Sequence, residues 1–205
     1  MAIGQIVKLN SGQGYIALGK LVKIGKHSAE LDIQELSFQE QHESRYAIAF
    51  ALLKNHHDEL LIEKCTELGA TAFYPLVTEH SVKSPSANTI TRYEKIALAA
   101  IKQCDNPWLP QIKPTRKLEQ AIQEIIRDGY APVLCSEARP EARIANLVKT
   151  INPCFIIGPE GGFSAKELAL FPDLNIPAIS ICLLITRAET AAIAVAAQFA
   201  TTLLP

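Results

Sequence analysis

The sequence has little of what marks the extreme classes of protein. Its five cysteines (Cys65, Cys104, Cys135, Cys154 and Cys182) are odd in number and widely spaced, and none forms Cys-x-x-Cys. A disulfide framework is excluded and zinc is not expected. An excess of one charge is also missing, because 20 Lys and Arg stand against 21 Asp and Glu, for a formal net charge of −1. The chain therefore has no basic coat, and any polyanion must be met by local clusters of Lys and Arg. Long hydrophobic runs are missing too. The longest, toward the carboxyl end, is broken by Arg187 and Glu189, so no membrane span is expected. The amino end lacks the basic flank and apolar stretch of a signal peptide. Aromatic residues make up only 6%, but 48% of residues are hydrophobic, enough for a packed core. A soluble cytoplasmic protein is expected, either one domain or a small domain joined to a larger one.

Residues 1–45 are patterned differently from 46–205. Four short runs rich in strand formers, 6–9, 15–18, 21–24 and 29–33, are separated by turn signals at Asn10-Ser11-Gly12, Gly19 and Gly25. They predict a small antiparallel unit, and the polar stretch 35–45 reads as a linker. Beyond it, predicted strands at 46–53, 72–77, 132–135, 155–157 and 178–185 alternate with helical patterns. The first helix starts near Asp58, carries Leu61, Cys65 and Leu68 on one face and stops at Gly69. Thr91 with Glu94, and Ser164 with Glu167, have capping-box spacing and open two more helices. Others are centred on Leu118, Ile122 and Ile125, and on Ile144, Leu147 and Val148, and a last one covers 189–204. The alternation predicts an α/β fold with a parallel sheet covered on both faces.

Ligands of such sheets bind at the carboxyl ends of the strands. Three loops fall there: Ser136-Glu137-Ala138, Gly158-Pro159-Glu160-Gly161-Gly162, and the turn around Thr186-Arg187. In the second, glycines permit close backbone approach, Pro159 stiffens the turn, and bare N–H groups can serve a carboxylate or an adenine edge. It matches neither the phosphate-loop nor the dinucleotide fingerprint, and a plain strand-to-helix turn explains it equally well. Arg187-Ala188-Glu189-Thr190-Ala191 puts a charge pair beside a free helix N-terminus, where Glu189 could equally serve the helix dipole. The small residues that follow (Ala191, Ala192, Ala194, Ala196, Ala197) suit a dimer interface, a crowded knot or an ordinary core. His56, His57 and His80 lack metal-ligand spacing and read as solvated loop histidines, so no metal is expected. The cysteines read as inert core thiols, and Glu59, Glu63 and Glu67 as a solvated helix face.

Five stretches, in order, form a more specific set. They are Glu63-Lys64-Cys65-Thr66-Glu67-Leu68-Gly69-Ala70, Pro75-Leu76-Val77-Thr78-Glu79-His80-Ser81-Val82, Gln103-Cys104 with Leu109-Pro110-Gln111-Ile112, Ile157-Gly158-Pro159-Glu160-Gly161-Gly162-Phe163-Ser164, and Thr186-Arg187-Ala188-Glu189-Thr190-Ala191. In them the chain resembles the RsmE family, methyltransferases that modify N3 of a uridine in 16S rRNA of the small ribosomal subunit. These belong to the SPOUT superfamily of α/β-knot enzymes. The resemblance spans almost the whole chain, with its specific part from about residue 54 to 200. It implies a SPOUT trefoil-knot domain over 46–205, an obligate homodimer, and a small PUA-like or OB-like RNA-binding β domain over 1–45. It also implies S-adenosylmethionine (SAM) in the knot loops. The cofactor-binding residues would be Cys135, Ile157, Gly158, Pro159, Glu160, Gly161, Gly162, Ile181, Ile185, Arg187 and Thr190. SAM carries an electrophilic methyl, so the protein mainly aligns donor and acceptor. N3 must lose a proton, and Arg187 would stabilise the charge left on the ring. Glu189 is the other catalytic candidate, as a base, and the target base would be presented unstacked.

The chain also departs from the family. Ile181-Cys182-Leu183-Leu184 stands where Leu-Gly-Pro-Arg is usual, His80 replaces an Arg, and Asp105-Asn106 stands where a basic pair is common. Each change removes positive charge from the presumed RNA surface. Family members usually carry further residues ahead of the position of Met1, so a truncated small domain is expected. Besides the enzyme, two readings remain: a noncatalytic RNA- or ribosome-binding knot protein, and an anion-binding domain that uses the 158–162 loop.

Overall fold

The computed structural model describes residues 1–82, 84–138, 142–144 and 152–203. At the amino end β1 (Ile6–Asn10), β2 (Tyr15–Ile24) and β3 (Ala29–Phe38) form an antiparallel sheet in that order. Two expectations are corrected here. Gly19 is not a turn: residues 15–24 are one strand, with a register shift between Leu18 and Gly19. A Cβ at Gly19 would lie 3.1 Å from the Leu31 side chain, so the glycine admits a close neighbour within the sheet. Residues 35–38 are also not linker, because β3 runs on to Phe38.

The larger sheet is parallel, with strand order β10-β8-β9-β4-β5-β6, and β7 also pairs with β5. Its strands are β4 (Ala47–Ala51), β5 (Ala72–Val77), β6 (Gln111–Ile112), β7 (Arg116–Lys117), β8 (Ala131–Cys135), β9 (Pro153–Ile157) and β10 (Ala178–Ile179). Between them run α1 (His57–Glu67), α2 (Thr89–Gln103), α3 (Leu118–Arg127), α4 (Ala165–Asp173) and, last, α5 (Ala188–Thr202). The central strands β4 and β9 are buried at every residue, which is why they read as continuous apolar runs. Alternate side chains of β4 enter two separate cores. Ile48 and Phe50 join Phe73, Phe155 and Phe199 under α1, α2 and α5. Ala47 and Ala49 join Tyr74, Ile122, Ile125 and Phe171 under α3 and α4. Each large side chain so buried contributes roughly 1.5–3 kcal/mol.

Three further expectations meet the structure differently. The Thr91–Glu94 box does not form, because α2 starts at Thr89, whose hydroxyl accepts from the Ser86 N–H at 2.8 Å. The predicted strand 178–185 shrinks to two residues and the rest is loop, since β10 is an edge strand paired only with β8. Leu147 and Val148 of the predicted helix lie outside the described residues, while Ile144 is buried. The Ser164 box does form: Ser164 Oγ accepts from the Glu167 N–H at 3.3 Å, and Glu167 Oε2 accepts from the Ser164 N–H at 2.9 Å.

The small sheet docks on the loop after α2. Lys8 pairs with Asp105 at 2.8 Å, Asn10 Nδ2 donates to the Asn106 carbonyl at 2.7 Å, and the Gly14 N–H donates to the Pro107 carbonyl at 2.9 Å. The Leu109 N–H donates to the Gly12 carbonyl, and Trp108 Nε1 donates to the Gln39 carbonyl. Asp105 and Asn106 are therefore joints between the sheets. Among the described residues, no helix is long and apolar enough to cross a membrane.

Candidate functional site

A cleft of about 580 Å³ opens at the carboxyl ends of β8 and β9 and beside the loop that follows β10. Such a volume suits a small organic ligand. Three segments distant in sequence form its walls: 134–138, 157–163 and 181–188, closed by Leu168 and Ala191. The sheet topology brings them together, because β9 lies between β8 and β4, and β10 lies outside β8. Of the residues singled out in the sequence, Cys135, Ile157, Gly158, Pro159, Glu160, Gly161, Gly162, Ile181, Ile185 and Arg187 line this cleft. Thr190 and Glu189 do not: Thr190 is exposed on α5 and Glu189 is buried beneath it.

The glycine loop is set by its own packing. Gly162 has φ +72°, a conformation that a side chain makes expensive. A Cβ on Gly158 would come within 3.1 Å of the Phe163 ring, which is itself packed 5.5 Å from the Phe171 ring. Glu160 Oε1 accepts from the Lys54 N–H at 3.1 Å. His80 is an exposed loop histidine, as expected, and it is also tied to the glycine loop: its Nδ1 lies 3.2 and 3.1 Å from the Gly161 and Gly162 carbonyl oxygens, a position in which it donates. The helix after the loop is held by the Ser164 capping box, and the Glu79 N–H donates to the same Glu167 carboxylate at 2.9 Å.

Arg187 stands at the N-cap of α5 with extended backbone (φ −65°, ψ 156°). Its side chain is exposed on the cleft and has no hydrogen bond or ion pair among the described residues. Glu189, two residues on, is 7% exposed, and its Oε1 lies 2.7 Å from Nδ1 of His57. A carboxylate only accepts, so Nδ1 carries the proton. His57 is the first residue of α1 and was not legible as a partner, since 132 residues separate the pair. His56 is a solvated histidine ahead of α1, as expected, and pairs with Glu59, whereas His57 is only partly exposed. Glu59 also leaves the solvated face assigned to it: its side chain is 17% exposed and held by Arg92 at 2.8 Å. Glu63 and Glu67 flank Lys64 on the surface.

Burial pushes the Cys135 thiol well above its ordinary value, as it does those of Cys65 and Cys154, so all three stay protonated and unreactive. Among the described residues, no cluster of His, Cys, Asp and Glu is placed to hold a metal ion. The cleft therefore offers apolar walls from Leu134, Phe163, Leu168, Ile181 and Ile185, backbone-rich loops and, among the described residues, the guanidinium of Arg187. That set fits a ligand with a flat ring and polar edges next to a reaction that develops negative charge.

The comparisons agree with this geometry. The sequence model of an RNA methyltransferase domain matches residues 40–200. The ribosomal RNA small subunit methyltransferase E of Rickettsia conorii is 30% identical over 94% of this chain and 79% of its own length. The protein of that name from Synechocystis is 29% identical over 95% of this chain and 68% of its own. The crystal structure of the Neisseria gonorrhoeae ribosomal RNA small subunit methyltransferase E, bound to S-adenosyl methionine, superposes with a TM-score of 0.88 at 20% identity. It covers 98% of this chain and 85% of that one. The fold is the α/β-knot (SPOUT) methyltransferase fold with a small β-sheet at its amino end. By the extent of these matches, the chain belongs to the RsmE family of ribosomal RNA methyltransferases.

Proposed function

We propose that this chain transfers a methyl group from SAM to N3 of one uridine in 16S rRNA of the small ribosomal subunit, acting as a cytoplasmic homodimer. The observation that carries the reading is the convergence of three sequence-distant loops on one cleft beside the unpaired guanidinium of Arg187. SAM, when bound, supplies an electrophilic methyl group. The 157–163 backbone, the Ile181 and Ile185 walls and the 135–138 turn would hold it. Arg187 then faces the uracil ring and stabilises the charge left on its oxygens when N3 loses its proton. Rigid presentation of donor and acceptor supplies much of the remaining rate.

Residues 46–205 would carry this chemistry and residues 1–45 would grip the RNA. In support, Tyr15 and Phe38 of the small sheet are half-exposed with ring centroids 4.9 Å apart, and Trp108 lies 6.0 Å from Phe38, a surface on which unpaired bases stack. Leu183, Leu184 and Ile185 are 83%, 77% and 73% exposed beside the cleft, an apolar patch of the kind a subunit contact covers. The test is calorimetry with SAM, followed by methyl transfer to small subunits that lack the modification. Binding with transfer is expected, and no SAM binding would return the chain to a noncatalytic role.

A further inference from the structure

The connection between β4 and α1 is the only segment among the described residues shown to bond to acidic side chains from both sides of the cleft. After Leu52, whose N–H donates to the Leu76 carbonyl, the chain leaves the sheet and turns sharply. Asn55 and His56 both take left-handed backbone, with φ 50° and 62°, and the His57 N–H closes the turn on the Lys54 carbonyl at 3.0 Å. Two consecutive non-glycine residues in that region are costly and persist only where surroundings hold them. Two hydrogen bonds supply that hold. At one end the Lys54 N–H donates to Glu160 of the glycine loop, and at the other His57 Nδ1 donates to Glu189 in the first turn of α5.

We infer that residues 54–57 are a brace between the two cleft walls, and that His57 is a positioning residue that fixes Arg187 through Glu189. The inference rests on the methyltransferase reading. Glu189 is nearly buried, so it must keep a hydrogen-bonded partner. One residue, Ala188, separates it from Arg187, so anchoring its carboxylate on α1 sets the rotation of the α5 start and the direction of the guanidinium. Because that carboxylate is turned to His57 and does not line the cleft, it holds the helix and does not take the N3 proton.

The experiment compares wild type, His57→Ala, His57→Asn and Glu189→Gln in methyl transfer from labelled SAM to unmodified small subunits. SAM affinity is followed by calorimetry. His57→Ala is expected to lower kcat about 30-fold while changing SAM affinity less than about threefold, because misdirecting one group slows chemistry more than binding. His57→Asn keeps a donor at the same distance along the side chain and restores most of the loss. Glu189→Gln keeps the accepting oxygen and falls less than His57→Ala, whereas loss of a general base would make it fall further, by about 100-fold or more. If His57→Ala does not fold, the other two variants are judged against wild type: kcat of His57→Asn within about threefold of wild type supports the inference, and Glu189→Gln falling about 100-fold or more overturns it. The inference is overturned by His57→Ala turning over like wild type, by equal loss in kcat and SAM affinity, by no rescue in His57→Asn, or by Glu189→Gln falling below His57→Ala. A wild-type protein that binds SAM but transfers nothing overturns the methyltransferase reading, and the positioning role with it.

Discussion

Arg187 is marked by what is missing around it among the described residues. An arginine at a helix start usually finds a carboxylate, but here the nearby carboxylate of Glu189 is taken by His57, and the guanidinium is left facing the cleft. Arg187→Ala should therefore reduce methyl transfer about 100-fold, the scale for losing one preorganised charge stabiliser. SAM affinity measured by calorimetry should change little, and a matching fall in affinity would show that Arg187 shapes the cofactor loop instead. Gly162 makes a different prediction. A Cβ there meets nothing within 4 Å, so Gly162→Ala tests backbone conformation alone. It should cost about 1–2 kcal/mol in thermal or urea unfolding, and a neutral result would mean the loop relaxes out of φ +72°. At this scale the cleft lining from Ile157 to Gly162, and Arg187, was legible because local chemistry and the resemblance both marked it. His57 was not: its partner is 132 residues away, and a single sequence carries no signal for a contact of that range.

Between elements, periodicity was a good guide wherever burial was two-sided. Strand β5 was read with the bounds it has, and β4 and β9 were found because they lie between covered faces. The stretch 178–185 misled for the opposite reason. Its apolar residues suggest a strand, but Leu183, Leu184 and Ile185 are exposed and belong to a loop of the cleft. Thr91 shows that a capping box is only an option: Thr89 and Tyr93 are buried, Thr91 is exposed, and packing moves the N-cap three residues forward, from Thr91 to Asn88. The tie between α3 and the sheet has a measurable pH signature. Burial acts to raise the Asp128 carboxyl, but Lys113 at 2.6 Å and the Tyr74 hydroxyl at 2.9 Å outweigh it and hold its pKa below the ordinary carboxylate value. A lowered folded-state pKa means this tie stabilises fully above the unfolded carboxyl's pKa and is lost as pH falls through the folded one. Asp128→Asn should therefore be less stable than wild type at neutral pH, and the gap should close in acid. Urea unfolding across that range checks it, and a gap independent of pH would contradict the assignment.

Across the whole molecule, one of the acidic residues behind the near-zero net charge has a structural role. Asp105, which stands where a basic residue was expected, spends its charge on Lys8, so the residue that weakens the basic surface also joins the two sheets. On the proposed reading, the RNA would be held less by a basic coat than by the exposed rings of Tyr15 and Phe38. The small sheet was legible as antiparallel, but its docking loop was not, because Asp105 to Leu109 carries no periodicity and its bonds run mainly to backbone far along the chain. One measurement addresses methyl transfer to a single uracil nitrogen directly. Small ribosomal subunits from a strain lacking the modification are incubated with this protein and methyl-labelled SAM, and the rRNA is digested to nucleosides. Label is expected only as 3-methyluridine from one position of 16S rRNA. Label on another base or on a ribose, or none from a protein that binds SAM, would contradict it.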